Sequence, residues 1–156
     1  MKTLKFQSFV LVLTSFILGF SEFIIVGILN NIATDFHISV ATVGLLVTTF
    51  AVIYAIATPL VSMSVGHHRL YWSYLVLMLI FAASNLLTAL ANNYFFLIAG
   101  RILTAVVSGT LVSVSITFVS FLTPLTKRAG IVAWIFSGFS IASVFGVPMG
   151  TWLSNY

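Results

Sequence analysis

Five long apolar runs separated by short polar breaks set the pattern of this chain, at about 6–29, 40–62, 71–91, 94–122 and 130–153. A helix needs roughly 20 apolar residues to cross the hydrocarbon core of a bilayer, so the pattern predicts five transmembrane helices. Lys2 and Lys5 precede the first run, as they would in a signal peptide. That run exceeds a signal peptide's apolar core, and no small-residue cleavage site follows it, so a retained spanning helix is expected. The break at 30–39 reads as an outer loop, with Ser39 suited to cap the second helix. Asn92 and Asn93 form so short a break that the third and fourth helices must be antiparallel neighbours. Tyr71, Trp72 and Tyr74 open the third helix with aromatics suited to the membrane interface.

Composition turns this pattern into a class. Hydrophobic residues make up 61% of the chain and charged residues 5%, whereas a soluble domain carries about a quarter charged residues. The expected fold is therefore an all-α integral membrane bundle, with the lipid bilayer as its surroundings. The net charge of +4 comes from scattered residues; no basic patch could follow a phosphate backbone, so nucleic acid is not an expected partner. Lys2, Lys5, Arg69, Lys127 and Arg128 fall on one side of the predicted spans, and Asp35, His37, Asn92 and Asn93 on the other. The positive-inside rule makes the N-terminus and the loops at 63–70 and 123–129 cytoplasmic, and five spans place the C-terminus outside. With no cysteine, disulfides and thiolate metal sites are excluded. No phosphate-binding loop, zinc motif or serine nucleophile signature is present, so neither an enzyme nor a cofactor or metal site is expected.

Two charges lie within the apolar runs, Glu22 in the first and Arg101 in the fourth. Each stands seven residues from the outer end of its run, about 10 Å deep at the helical rise. Intramembrane charges are costly and are kept where they face water, a substrate or an opposite charge. Two readings stand side by side: a structural ion pair, or a protonatable site in which burial favours the neutral carboxyl and the arginine favours the carboxylate. Ser15, Gly19, Glu22 and Val26 share one helix face; their small members leave room beside the acid or serve ordinary helix packing. In the fifth run Gly138, Ala142, Gly146 and Gly150 recur every four residues, with Pro148 between the last two glycines. Such a ridge permits close helix approach, and the proline is expected to kink it. Asp35 reads as a loop residue or local cap, His67 and His68 as part of a cytoplasmic turn, and Asn85 as an interhelical hydrogen-bonding residue.

With these residues placed, the chain resembles the N-terminal half of a major facilitator superfamily transporter. The likeness points to the bacterial drug:proton antiporter group and its arabinose-efflux-permease-like branch. The stretch from Gly19 through Glu22 to Leu29 is similar to that group's first-helix motif. Arg101 with Gly109 is similar to its proton-coupling motif, and Gly138 through Gly146, Pro148, Gly150 and Trp152 to its antiporter motif. The resemblance implies a central cavity lined by the first and fourth helices, with Glu22 the proton and substrate residue and Arg101 its electrostatic partner. It also implies rocking of two halves around that site, a proton gradient as energy source, and a cationic small molecule or a sugar as substrate. The expected location is the bacterial inner membrane. Arg69 is kept in the loop between the second and third helices, but the family's aspartate there is absent.

A complete member is at least about twice as long. The chain is thus expected to be a partial N-terminal bundle, 1–156, whose remaining half or another membrane chain would cover the glycine ridge of the fifth helix. The alternative expectation is a truncated, non-transporting membrane protein that is inert or associates through that helix.

Overall fold

The structure, a computed structural model, describes residues 2–65 and 70–154, with side chains from residue 6 onward. It contains α1 (Lys2–Gly27), α2 (Leu29–Asp35), α3 (Val40–Val65), α4 (Leu70–Ala89), α5 (Tyr94–Leu122) and α6 (Leu125–Ser154). All but α2 are long and apolar enough to cross a membrane, so the chain is an all-helical, multi-pass membrane protein with five such spans among its described residues. Arg69, His67 and His68 lie outside the described residues.

Hydrogen bonding corrects the expected boundaries. The break at 30–39 is not a plain loop, because α2 occupies most of it. Its end is built by His37, which has a φ of 52°. The His37 and Ile38 amides donate back to Thr34 O and Ala33 O at 3.2 and 3.0 Å, the bond pair of a left-handed helix cap. Ser39 then caps α3 as expected, its Oγ accepting from the Thr42 amide at 3.1 Å. Asn93 does the same for α5, its Oδ1 accepting from the Phe96 amide at 3.0 Å. The fifth span begins at Leu125, five residues before the expected 130. The Lys127 amide donates to Pro124 O and Arg128 Nε donates to Thr123 O, both at 3.0 Å. Charged residues can occupy a helix's first turn beyond the hydrocarbon, where hydropathy no longer marks the helix. Both Pro59 and Pro148 are accommodated inside continuous helices.

Contacts divide the chain into two compact units, Met1–Asn31 with Ser115–Tyr156, and Ile32–Val114. In the first, α1 and α6 are packed along their length. Leu11, Thr14, Ser15, Leu18, Gly19 and Ile25 form the buried stripe of α1, at the three- and four-residue steps of one helix face. Ile135, Gly138, Ala142, Gly146 and Gly150 form that of α6.

In the second unit, α3 and α5 run parallel. Tyr94 Oη donates to Thr42 O at 2.8 Å, Arg101 lies on Phe50, and Gly109 faces Thr58. The stretch of α3 from Thr42 to Thr58, about 24 Å at the helical rise, is thereby held in one register. The helix α4 meets α5 through Ser84 and Thr88, which face Gly100, and Thr104 Oγ1 lies 2.9 Å from both Ser84 Oγ and Gly100 O. The most apolar window of α5 is 56% buried, against 17–33% for the other spans, which makes it the best-covered helix. Outside these seams, Phe6, Leu79, Phe95, Phe121 and Leu125 are exposed, as a surface facing lipid tails requires.

Candidate functional site

Arg101 is almost wholly buried, with 4% of its surface exposed. It stands seven residues into α5, about 10 Å from the helix start. Its guanidinium carbon lies 4.5 Å from the centroid of the Phe50 ring on α3, and Phe50 is itself buried. A cation over an aromatic face is attracted by the ring's quadrupole, by about 2 kcal/mol or more where both are desolvated. That is comparable to the lower estimates for placing an arginine at mid-membrane, about 2.5–3.5 kcal/mol. The ring therefore offsets a large part of the cost of keeping this charge in place. One and two turns further along α5, Thr104 and Ser108 are buried as well. Ser108 Oγ donates to Thr104 O at 2.7 Å. Arg101, Thr104 and Ser108 follow steps of three and four and so form a polar stripe on one face of α5.

Glu22 belongs to the other unit and is half-buried on α1. It lies five residues from the helix end at Gly27, about 8 Å along the axis. Its small neighbour Gly19 does not open a cavity. A Cβ added there would lie 3.0 Å from both Ala142 Cβ and the Phe139 ring, and Phe23 meets Phe139 edge-on at 5.5 Å. The face Ser15, Gly19, Glu22 and Val26 is therefore split: Ser15 and Gly19 are buried, Glu22 is half-buried, and Val26 is exposed.

The glycine ridge of α6 has a different partner from the one expected, and this is the clearest correction. It is covered by α1 of the same chain. A Cβ added at Gly138 would lie 2.5 Å from Val12 O, one at Gly146 2.9 Å from Phe23 Cβ, and one at Gly150 2.5 Å from Ile24 O. Ala142 is fully buried. Gly27 answers from α1, because a Cβ there would collide with Val147 O and come within 3.0 Å of Gly150 Cα. Past Pro148, which is exposed, Thr151 Oγ1 donates to Gly27 O at 3.2 Å, with Val147 O a second acceptor at 3.1 Å. Asn31 Nδ2 donates to Ser154 O at 2.7 Å.

Asn85 Nδ2 donates to Phe81 O of its own helix at 2.8 Å, and near this level an interhelical bond joins Thr104 to Ser84. Asp35 is the exposed last residue of α2. Among the described residues, no three His, Asp or Glu side chains gather to hold a metal ion. Phe50 was missed by sequence reasoning. The only signal was the four-residue recurrence of Leu46, Phe50, Tyr54 and Thr58, which marks a helix face without saying what lies on it.

A set of long apolar helices with a buried arginine on the best-covered one defines a polytopic membrane protein. Residues 11–156 match the Major Facilitator Superfamily. The chain is 39% identical over 153 residues to the uncharacterized MFS-type transporter YfhI of Bacillus subtilis (strain 168), covering 98% of this chain and 38% of that protein. It is 32% identical over 140 residues to the chloramphenicol resistance protein of Streptomyces lividans, covering 87% and 36%. It is also 32% identical over 145 residues to a probable sugar efflux transporter of Helicobacter pylori (strain G27), covering 91% and 36%. The chain belongs to the Major Facilitator Superfamily, a family of transporters and not of enzymes. It spans less than two-fifths of the length of these relatives.

Proposed function

We propose that this chain is the N-terminal part of a proton-coupled exporter of small molecules in a bacterial inner membrane, with its N-terminus cytoplasmic. The observation that carries the reading is the buried Arg101, held at a defined height on α5. An intramembrane arginine marks a transport pathway or a charge relay more often than mere structure. Glu22 is the proton carrier in this reading, and its affinity for a proton changes with its access to water and its distance from the Arg101 charge. A cationic solute could replace the proton beside the carboxylate, giving exchange without covalent chemistry. The names of the relatives favour a drug or a sugar as cargo, and bacterial relatives favour the inner membrane. Assembly through the ridge of α6 is not favoured, because α1 already covers it.

The test uses the product of the native gene, whose size is first established with an N-terminal epitope tag. Glu22→Gln is expected to abolish proton-coupled extrusion in membrane vesicles, and unchanged extrusion would remove Glu22 from the mechanism. Combining Glu22→Gln with Arg101→Leu should recover folding but not transport. Recovered transport would mean that the two charges serve only structure.

A further inference from the structure

We propose that Phe50 is a positioning residue that acts through Arg101. The face of its ring is the seat that holds the guanidinium on the α3–α5 seam, and the strength of that hold governs how readily the charge yields during coupling. The coupling part of this inference rests on the transport reading above; the seating part does not.

Three observations support it. Arg101 and Phe50 are both 4% exposed, and the guanidinium carbon lies 4.5 Å from the ring centroid. The contact therefore lies where solvent does not screen it. Phe50 is also the middle rung of a parallel register, between Tyr94 on Thr42 and Gly109 on Thr58. The flanking rungs set the height of α3 against α5, so the ring cannot slide along the axis away from the charge. Tyr54 follows one turn on, its ring centroid 6.0 Å from that of Phe50, and limits how far the ring can tilt.

A phenylalanine in this place also fills volume, and the experiment must separate electronic support from packing. Fluorination of the ring does so, because each fluorine weakens the negative ring face with little change of size. The native gene product carrying mono-, di- and trifluorophenylalanine at position 50 is purified in detergent, and its thermal unfolding is followed. Stability is expected to fall stepwise with fluorine number, and the steps should vanish in an Arg101→Met background. A flat series, or one that persists without the arginine, would overturn the proposal. Phe50→Tyr and Phe50→Trp should keep the seat, whereas Phe50→Leu should lose it.

In cells, extrusion of chloramphenicol is measured as the probe. Phe50→Leu is expected to lower its rate on the order of tenfold, with the fluorinated forms graded between it and the parent protein. A graded stability with ungraded extrusion would reduce Phe50 to an anchor and overturn its role in coupling. If the parent protein extrudes no chloramphenicol, the thermal series alone decides the seat. A fluorine gradient in extrusion with no effect of Glu22→Gln would sink the proton-site reading while leaving Phe50 in place.

Discussion

The α1–α6 seam and the α3–α5 seam both contain glycines at close approach, yet the glycines meet different things. On α6, Gly138 and Gly150 face the backbone carbonyls of Val12 and Ile24, and Gly27 faces that of Val147. On α5, Gly109 faces the hydroxyl of Thr58, a side chain that itself donates to Tyr54 O at 2.6 Å. At these three glycines the first seam sets main chain against main chain, and the nearest obstacle is a carbonyl that cannot turn aside. In the second, hydroxyls and a ring mediate between helices and can change rotamer. A seam of the first kind suits two helices that stay together. The second kind suits a place where a charge is held.

Three substitutions probe this difference. The largest effect is expected from Gly150→Leu, whose side chain would have to enter the space of Ile24 O and Gly27; folded protein in detergent extracts should fall to a small fraction of normal. Near-normal yield would mean that α1 and α6 can separate freely.

Gly138→Ala comes next. Alanine improves helix propensity by at most about 1 kcal/mol, but overpacking costs about 1–3 kcal/mol, so net destabilisation is expected in thermal unfolding. Adding Val12→Ala should not recover it, because the obstacle is a carbonyl oxygen. Recovery would show that the side chain sets the limit.

Gly109→Ala should be similarly destabilising on its own, yet here Thr58→Ala should return most of the loss by removing the hydroxyl. If both pairs respond alike, the two seams do not differ in kind.

The reach of the sequence can be judged residue by residue. Arg101 and Glu22 were visible because a charge within an apolar run stands out against its neighbours. The α6 ridge was visible because smallness repeated every four residues, but spacing records the size of a residue and not what occupies the space beside it. Gly19 was ambiguous for the same reason, and only Ala142 and Phe139 decide that it packs. The seven residues of α2 escaped because fewer than two turns cannot display a helical period. The start of α6 was displaced because hydropathy reports the hydrocarbon boundary, whereas the helix begins at a backbone hydrogen bond.

By itself the sequence determined that this protein lives in a membrane, how many long spans it presents, and which two charges lie within them. These follow from the cost of polar groups in hydrocarbon, a local property of each stretch of chain. Tertiary structure alone decided that α1 fills the α6 ridge and that, of the chain's 15 phenylalanines, Phe50 lies beneath Arg101. Those facts depend on which helices lie side by side and in what register, and that is set by many small fits between surfaces that no single stretch encodes.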